Sequence, residues 1–168
     1  MARAYLKGYP KLKKQMSKLR TDTAPLVRPA MGEAAQRIVN LMKRYAPRGT
    51  ARKAPPGKPK LGRKGGELID SIGWTWGDAP KGSISVATMG KGQNKITIFA
   101  GNHDVYWARW VEFGTRPHIA GGKFKGAEHP GAAAQPFFYP AYRALKKQTK
   151  IDFKNAVNAA VRKIVKSA

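Results

Sequence analysis

Tyr106-Trp107-Ala108-Arg109-Trp110-Val111-Glu112-Phe113-Gly114-Thr115 is followed, after a run rich in glycine, alanine and histidine, by Ala134-Gln135-Pro136-Phe137-Phe138-Tyr139-Pro140-Ala141. Aromatic side chains crowd both ends of the intervening loop, and one acid, Glu112, sits inside the first group. Tyr106, Trp110 and Phe113 fall on one side of a helix expected from Val105 to about Phe113, and Trp107 and Val111 fall on another. A helix with two apolar faces is either enclosed in its domain or shared with a neighbour. Gly101-Asn102-His103-Asp104 supplies its cap and Gly114 its stop. The Pro136-Phe137-Phe138 anchor then opens a terminal helix, whose Leu145, Phe153, Val157, Ala160, Val161 and Ile164 make a stripe against Lys146, Lys147, Lys154, Arg162 and Lys163. Two hydrophobic handles around one loop are a layout for docking more than for catalysis.

Upstream of that stretch, Lys11 to Arg20 alternates lysine with Leu12, Met16 and Leu19 and predicts a short basic amphipathic helix. Thr21-Asp22-Thr23 offers caps, and Pro25 and Pro29 suit a break or a first turn. Met31, Ala34, Ala35, Ile38, Leu41, Met42 and Tyr45 then form an apolar stripe at helical period, ended by Ala46-Pro47 because the residue before a proline is steered out of helical geometry. The run 48–66, RGTARKAPPGKPKLGRKGG, is too rich in Pro, Gly and basic residues to bury a core and reads as a flexible basic loop. It is either a solvated loop or an arm that lies along a polyanion. Alternating apolar residues predict strands at 73–77, 83–87 and 95–100, joined by connectors too short for helical crossovers, which implies an antiparallel meander. The run 116–135 is expected to be a second flexible loop. The fold class is therefore α+β, with a long N-terminal helix and a C-terminal helix packed on a small antiparallel sheet, in one domain over residues 1–168 with a basic N-terminal segment at 1–24.

The 168 residues carry 33 Lys and Arg against 9 Asp and Glu, a formal charge of +24. A chain that is 42% hydrophobic is too apolar to be disordered, so the charge speaks of partners such as phosphate backbones, acidic protein surfaces or anionic lipid. The absence of cysteine excludes disulfides, a thiolate nucleophile and Cys-type zinc sites. No run approaches a membrane span or a signal-peptide core, so a soluble protein with no membrane partner is expected.

Four short motifs in order complete the picture: Tyr45-Ala46-Pro47, Gly66-Glu67-Leu68-Ile69-Asp70-Ser71-Ile72, Tyr106 to Thr115, and Ala134 to Ala141. Together they resemble the neck or tail-completion proteins of long-tailed bacteriophages, the gene-product-ten-like head–tail joining family. In that family the Ala-Pro pair leads almost directly into a Thr-Gly-x-Leu-x-x-Ser-Ile run, whereas here Arg48 to Gly65 intervenes and Gly65 stands in the threonine's place. The resemblance implies an α+β subunit without catalytic activity, part of the virion after assembly in the host cytoplasm. It further implies a homo-oligomeric ring, hexameric or matched to a dodecamer, with neighbouring neck, portal-adaptor and tail proteins as partners. Packaged double-stranded DNA passing such a ring would meet sequence-independent phosphate contacts, for which Arg48, Arg52, Lys53, Lys58, Lys60, Arg63 and Lys64 are the candidates. Subunit contacts are expected from Tyr106, Trp107, Trp110, Glu112, Phe113, Gly114, Thr115, Pro136, Phe137 and Phe138.

Glu112 is costly to bury unpaired, and Arg109 and Arg116 stand at helical distance, so a salt bridge is the expected role. A hydrolase using Glu112 is the enzymatic rival and lacks a second carboxylate nearby in sequence. Trp107, Trp110, Phe137 and Phe138 could stack on single-stranded nucleic acid or simply form core. His103, His118 and His129 make a poor metal set, and the glycine runs lack the spacing of a nucleotide cradle. No cofactor is expected. A sequence-nonspecific nucleic-acid-binding protein and the adjacent tail terminator remain the alternative functions.

Overall fold

Helix α1 runs from Tyr9 to Tyr45 without interruption. This replaces the expected short helix, proline break and second helix. Pro25 and Pro29 lie inside it, and each removes one backbone donor, leaving the carbonyls of Thr21 and Pro25 without a helical partner. Thr21, Pro25 and Pro29 are all exposed, so water can take those carbonyls. The threonines read as caps instead bond backwards, Thr21 Oγ1 to the Ser17 carbonyl at 3.1 Å and Thr23 Oγ1 to the Leu19 carbonyl. Met31, Ala34, Ala35, Ile38, Val39 and Met42 are buried along the stripe, while Tyr45, expected on it, is half exposed. The helix stops as expected: Ala46 makes the last turn bond to Met42 at 2.9 Å and Pro47 follows.

The computed structural model describes residues 9–51, 53, 56, 64–89, 95–121 and 125–166. By backbone proximity the chain divides into two compact units, Met1–Ala34 with Gln148–Ala168, and Ala35–Lys147. The first holds buried Val27, Met31, Ala34, Thr149 and Ala160. The second holds the sheet and everything discussed below as a site.

A one-turn helix α2, Glu67–Asp70, leads into strand β1, Gly73–Trp76. Strands β2, Ile84–Met89, and β3, Ile96–Ala100, complete an antiparallel sheet of order β1-β3-β2. The three strands and their antiparallel pairing match the sequence reading, but the order is not that of a meander. β3 is deeply buried, with Ile96, Thr97, Ile98 and Ala100 all enclosed, and it takes the centre, where both its edges are satisfied. Residues 77–83 therefore carry the chain back along the sheet. Gly73 faces Phe99 across the β1–β3 pair and lets the phenyl ring lie 3.3 Å from where a Cβ would stand. Trp74 donates from Nε1 to Gln36 Oε1 at 3.0 Å, tying the β1 edge to α1. Ser71, buried after α2, accepts the Gly101 N–H at 3.1 Å and donates to the Leu68 carbonyl at 2.7 Å, which fixes the exit of β3.

Candidate assembly site

After β3, Asn102 Oδ1 accepts the amides of Asp104 at 2.9 Å and Val105 at 2.8 Å, capping a turn that becomes helix α3, Ala108–Phe113. The aromatic spacing read from the sequence then separates the side chains in space. Tyr106, Trp110 and Phe113 are each about half exposed and form one row, with Tyr106 edge-on to Trp110 at 5.2 Å and Phe113 tilted against Tyr139 at 5.7 Å. Trp107 and Val111 instead line a cleft of about 160 Å³ with Pro47, Gly49, Gly66 and Leu68, at the foot of the basic loop.

Glu112 points inward and is 3% exposed. Helix α4, Phe138–Lys166, begins beside it. Glu112 Oε2 accepts the N–H groups of Phe137 and Phe138, both at 2.8 Å, and Oε1 accepts that of Tyr139 at 3.0 Å. The first four N–H groups of a helix have no partner within it. Here three go to one carboxylate and the fourth position is Pro140, which has none to satisfy. The negative charge also meets the positive end of the helix dipole. The expected salt bridge is thus corrected. Arg109 and Arg116 are exposed and make no ion pair with Glu112 among the described residues, because both carboxylate oxygens already face backbone donors. The sequence carried one clue to this pairing: Phe137, at the cap position, has no acceptor of its own, so the acceptor had to come from elsewhere.

Phe137 and Phe138 are fully buried. With Glu112, expected with them among the subunit contacts, they lie enclosed in the core of their own chain. They cannot act as stacking platforms. Tyr106, Trp110, Phe113 and Pro136 remain exposed, and Trp107, Gly114 and Thr115 are partly so.

Gly114 closes α3 at φ 70°, and a Cβ there would stand 2.6 Å from the Ala132 carbonyl oxygen. That close approach lets Thr115 and Ala132 exchange backbone bonds at 2.9 and 3.1 Å, while Gln135 donates to the Val111 carbonyl at 2.8 Å. From this base the run read as a flexible loop rises as a two-stranded ribbon. Strands β4, His118–Ile119, and β5, Glu128–His129, pair His118 with His129 and Ile119 with Glu128. The Ala120 amide bonds to the Ala127 carbonyl at 2.7 Å. Proline, glycine and alanine masked the alternation that normally announces such a hairpin.

Of the basic candidates, Arg48, Lys53 and Lys64 are exposed, and Arg52, Lys58, Lys60 and Arg63 lie outside the described residues. Gly49 and Ala51 come within 3 Å of where a Gly65 Cβ would stand, so the two ends of the basic run meet at its base. His103 Nδ1 stands 3.5 Å from Asp104 Oδ1. Among the described residues no helix is long and apolar enough to cross a membrane, and no group of three or more His, Cys, Asp or Glu could hold a metal ion.

Comparison with curated proteins and with solved structures gives no match. A family model described as "Bacteriophage HK97-gp10, putative tail-component" matches residues 10–114, from the start of α1 through the sheet to the glycine that ends α3. On that match, which spans more than half of its length, the chain belongs to the HK97-gp10-like family of bacteriophage tail components.

Proposed function

We propose that this tail component is a subunit of an oligomeric tail-completion or neck ring, which joins the tail to the DNA-filled head by assembly and without catalysis. The observation that carries the reading is the row of half-exposed Tyr106, Trp110 and Phe113 and its support. Large aromatic side chains supply contact area at low conformational cost and are enriched where interfaces gain their energy. The support is held because Glu112, next to Phe113 of the row, bonds three amides at the start of α4. The ribbon rising from Thr115 and Ala132 adds a second exposed element that can reach a neighbouring subunit. A charge of +24 suits a ring whose partners are packaged DNA and acidic portal-adaptor or tail surfaces.

Adding purified protein to tail preparations and to DNA-filled heads, then imaging the particles at subunit resolution, tests this. Density for a closed ring between head and tail is expected. Density along the tube, at the distal end or nowhere overturns the reading, and a ring that stays on isolated tails and never meets the head assigns the tail-terminator role instead.

The charge also favours a second reading, a free nucleic-acid-binding protein. Titrating duplex DNA at several salt concentrations separates the two. Tight, steeply salt-dependent binding by the monomer supports the free binder, whereas weak DNA affinity in a protein that forms rings supports the first reading.

A further inference from the structure

His118 and His129 stand at the two ends of a glycine-rich run, and in sequence neither has a ligand partner. The ribbon brings them directly opposite each other, with ring centroids 4.9 Å apart and planes 23° from parallel. Nδ1 of His118 lies 2.9 Å from the Arg116 carbonyl, which can only accept, so Nδ1 carries a proton there and, in the neutral ring, Nε2 is the nitrogen left to ligate. A metal-ligating histidine is held in this way, its second nitrogen donating to a backbone carbonyl. His129 sits across from it, accepting the Gly131 N–H at Nδ1 at 3.0 Å. Both rings are exposed, and with Pro117, Ile119, Glu128 and Pro130 they line an open cleft of about 560 Å³.

We propose that the His118–His129 pair is one half of a divalent transition-metal site of the zinc class, closed by the same pair from a second copy of this chain. Imidazole nitrogen suits zinc, copper and nickel better than calcium or magnesium, which take oxygen. Zinc in a closed site takes four ligands. One chain supplies two, because among the described residues no third His, Cys, Asp or Glu joins the pair. The ribbon bearing the pair is exposed at Arg116, Pro117, Ile119, Glu128 and Pro130, so a facing copy has room to approach. Binding through Nε2 of His129 moves that ring's proton to Nδ1, and the Gly131 N–H passes from the imidazole to water. The inference is independent of where the protein sits in the tail.

The test uses the untagged full chain, titrated with zinc chloride in a non-coordinating buffer and followed by calorimetry and sedimentation. About half a zinc per chain, with a mass increase that chelation reverses, is expected. His118→Ala and His129→Ala should each weaken binding by at least about tenfold, and His103→Ala should leave it unchanged. In the wild-type protein the Gly131 amide resonance should move on zinc addition, and the zinc absorption edge should show a shell of imidazole nitrogens. One zinc per chain without self-association, binding that survives the double histidine variant, loss of binding in His103→Ala, or an oxygen-dominated shell each overturns the proposal.

Discussion

Glu112 Oε2 lies 2.8 Å from the backbone nitrogen of Phe137, 25 positions further along the chain. This bond and its two neighbours join the end of α3 to the start of α4. They lie between the enclosed Phe137 and Phe138 and the half-exposed Trp110 and Phe113. Replacing Glu112 by alanine leaves three N–H groups without their acceptor and should destabilise the protein by about 3 kcal/mol or more. Glu112→Gln keeps one acceptor oxygen but turns an NH2 group towards backbone donors, at a cost of roughly 1 to 3 kcal/mol. Urea denaturation checks the order, alanine below glutamine below wild type. If the bridge to α4 is irrelevant, all three melt together.

The two aromatic groups should respond oppositely to truncation. Phe137→Ala empties a fully buried site and should cost about 3 to 5 kcal/mol in the isolated chain. Trp110→Ala removes a half-exposed ring and should change monomer stability by only about 1 kcal/mol or less. Its effect should appear in self-association, measured by sedimentation across a concentration series. Equal self-association in wild type and Trp110→Ala would remove the aromatic row from the interface.

Gly131 and Gly126 both adopt left-handed geometry on the ribbon, with φ of 82° and 91°. A Cβ on Gly131 would stand 2.3 Å from the Thr115 carbonyl oxygen, whereas one on Gly126 meets nothing within 4 Å. Gly126→Ala should therefore cost only the backbone strain, on the order of 1 kcal/mol. Gly131→Ala should open the ribbon's base, seen as faster hydrogen exchange at the amides of Thr115 and Ala132. Equal exchange in the two variants would show that the crossing at Thr115 does not hold the ribbon.

Pro25 and Pro29 interrupt the bonding of α1 without ending it. Alanine at either exposed position restores a donor and should stabilise the helix, by up to roughly 3 kcal/mol each. Circular dichroism melts should show a higher midpoint. A lower midpoint would mean that the prolines satisfy a constraint not visible in the helix itself.

Much of this fold is legible in local order along the chain. The apolar stripe from Met31 to Met42, its stop at Pro47, the three β runs, the Asn102 cap and the Gly114 stop all follow from periodicity and steric rules that act within a few residues. The two prolines of α1 misled because exposed carbonyls can turn to water, which keeps the cost of each proline small enough for the helix to continue, and exposure is not a local property. The strand order misled for a related reason. Short connectors favour neighbours in sequence, but the most apolar strand, β3, gains most from two covered faces and two paired edges.

The sequence by itself determined the composition of the site: one acid among aromatics, a glycine after them, a Pro136-Phe137-Phe138 anchor opening the last helix, and two histidines in one glycine-rich run. It also determined membership of a phage tail family, because the motifs are read in order along the chain. Only the tertiary structure decided that Glu112 serves the amides of Phe137, Phe138 and Tyr139 and not a neighbouring arginine. It likewise decided that Phe137 and Phe138 are core while Trp110 faces outward, and that His118 meets His129. Each of those outcomes depends on which groups are withdrawn from water together, and segments far apart in the chain settle that only when they pack.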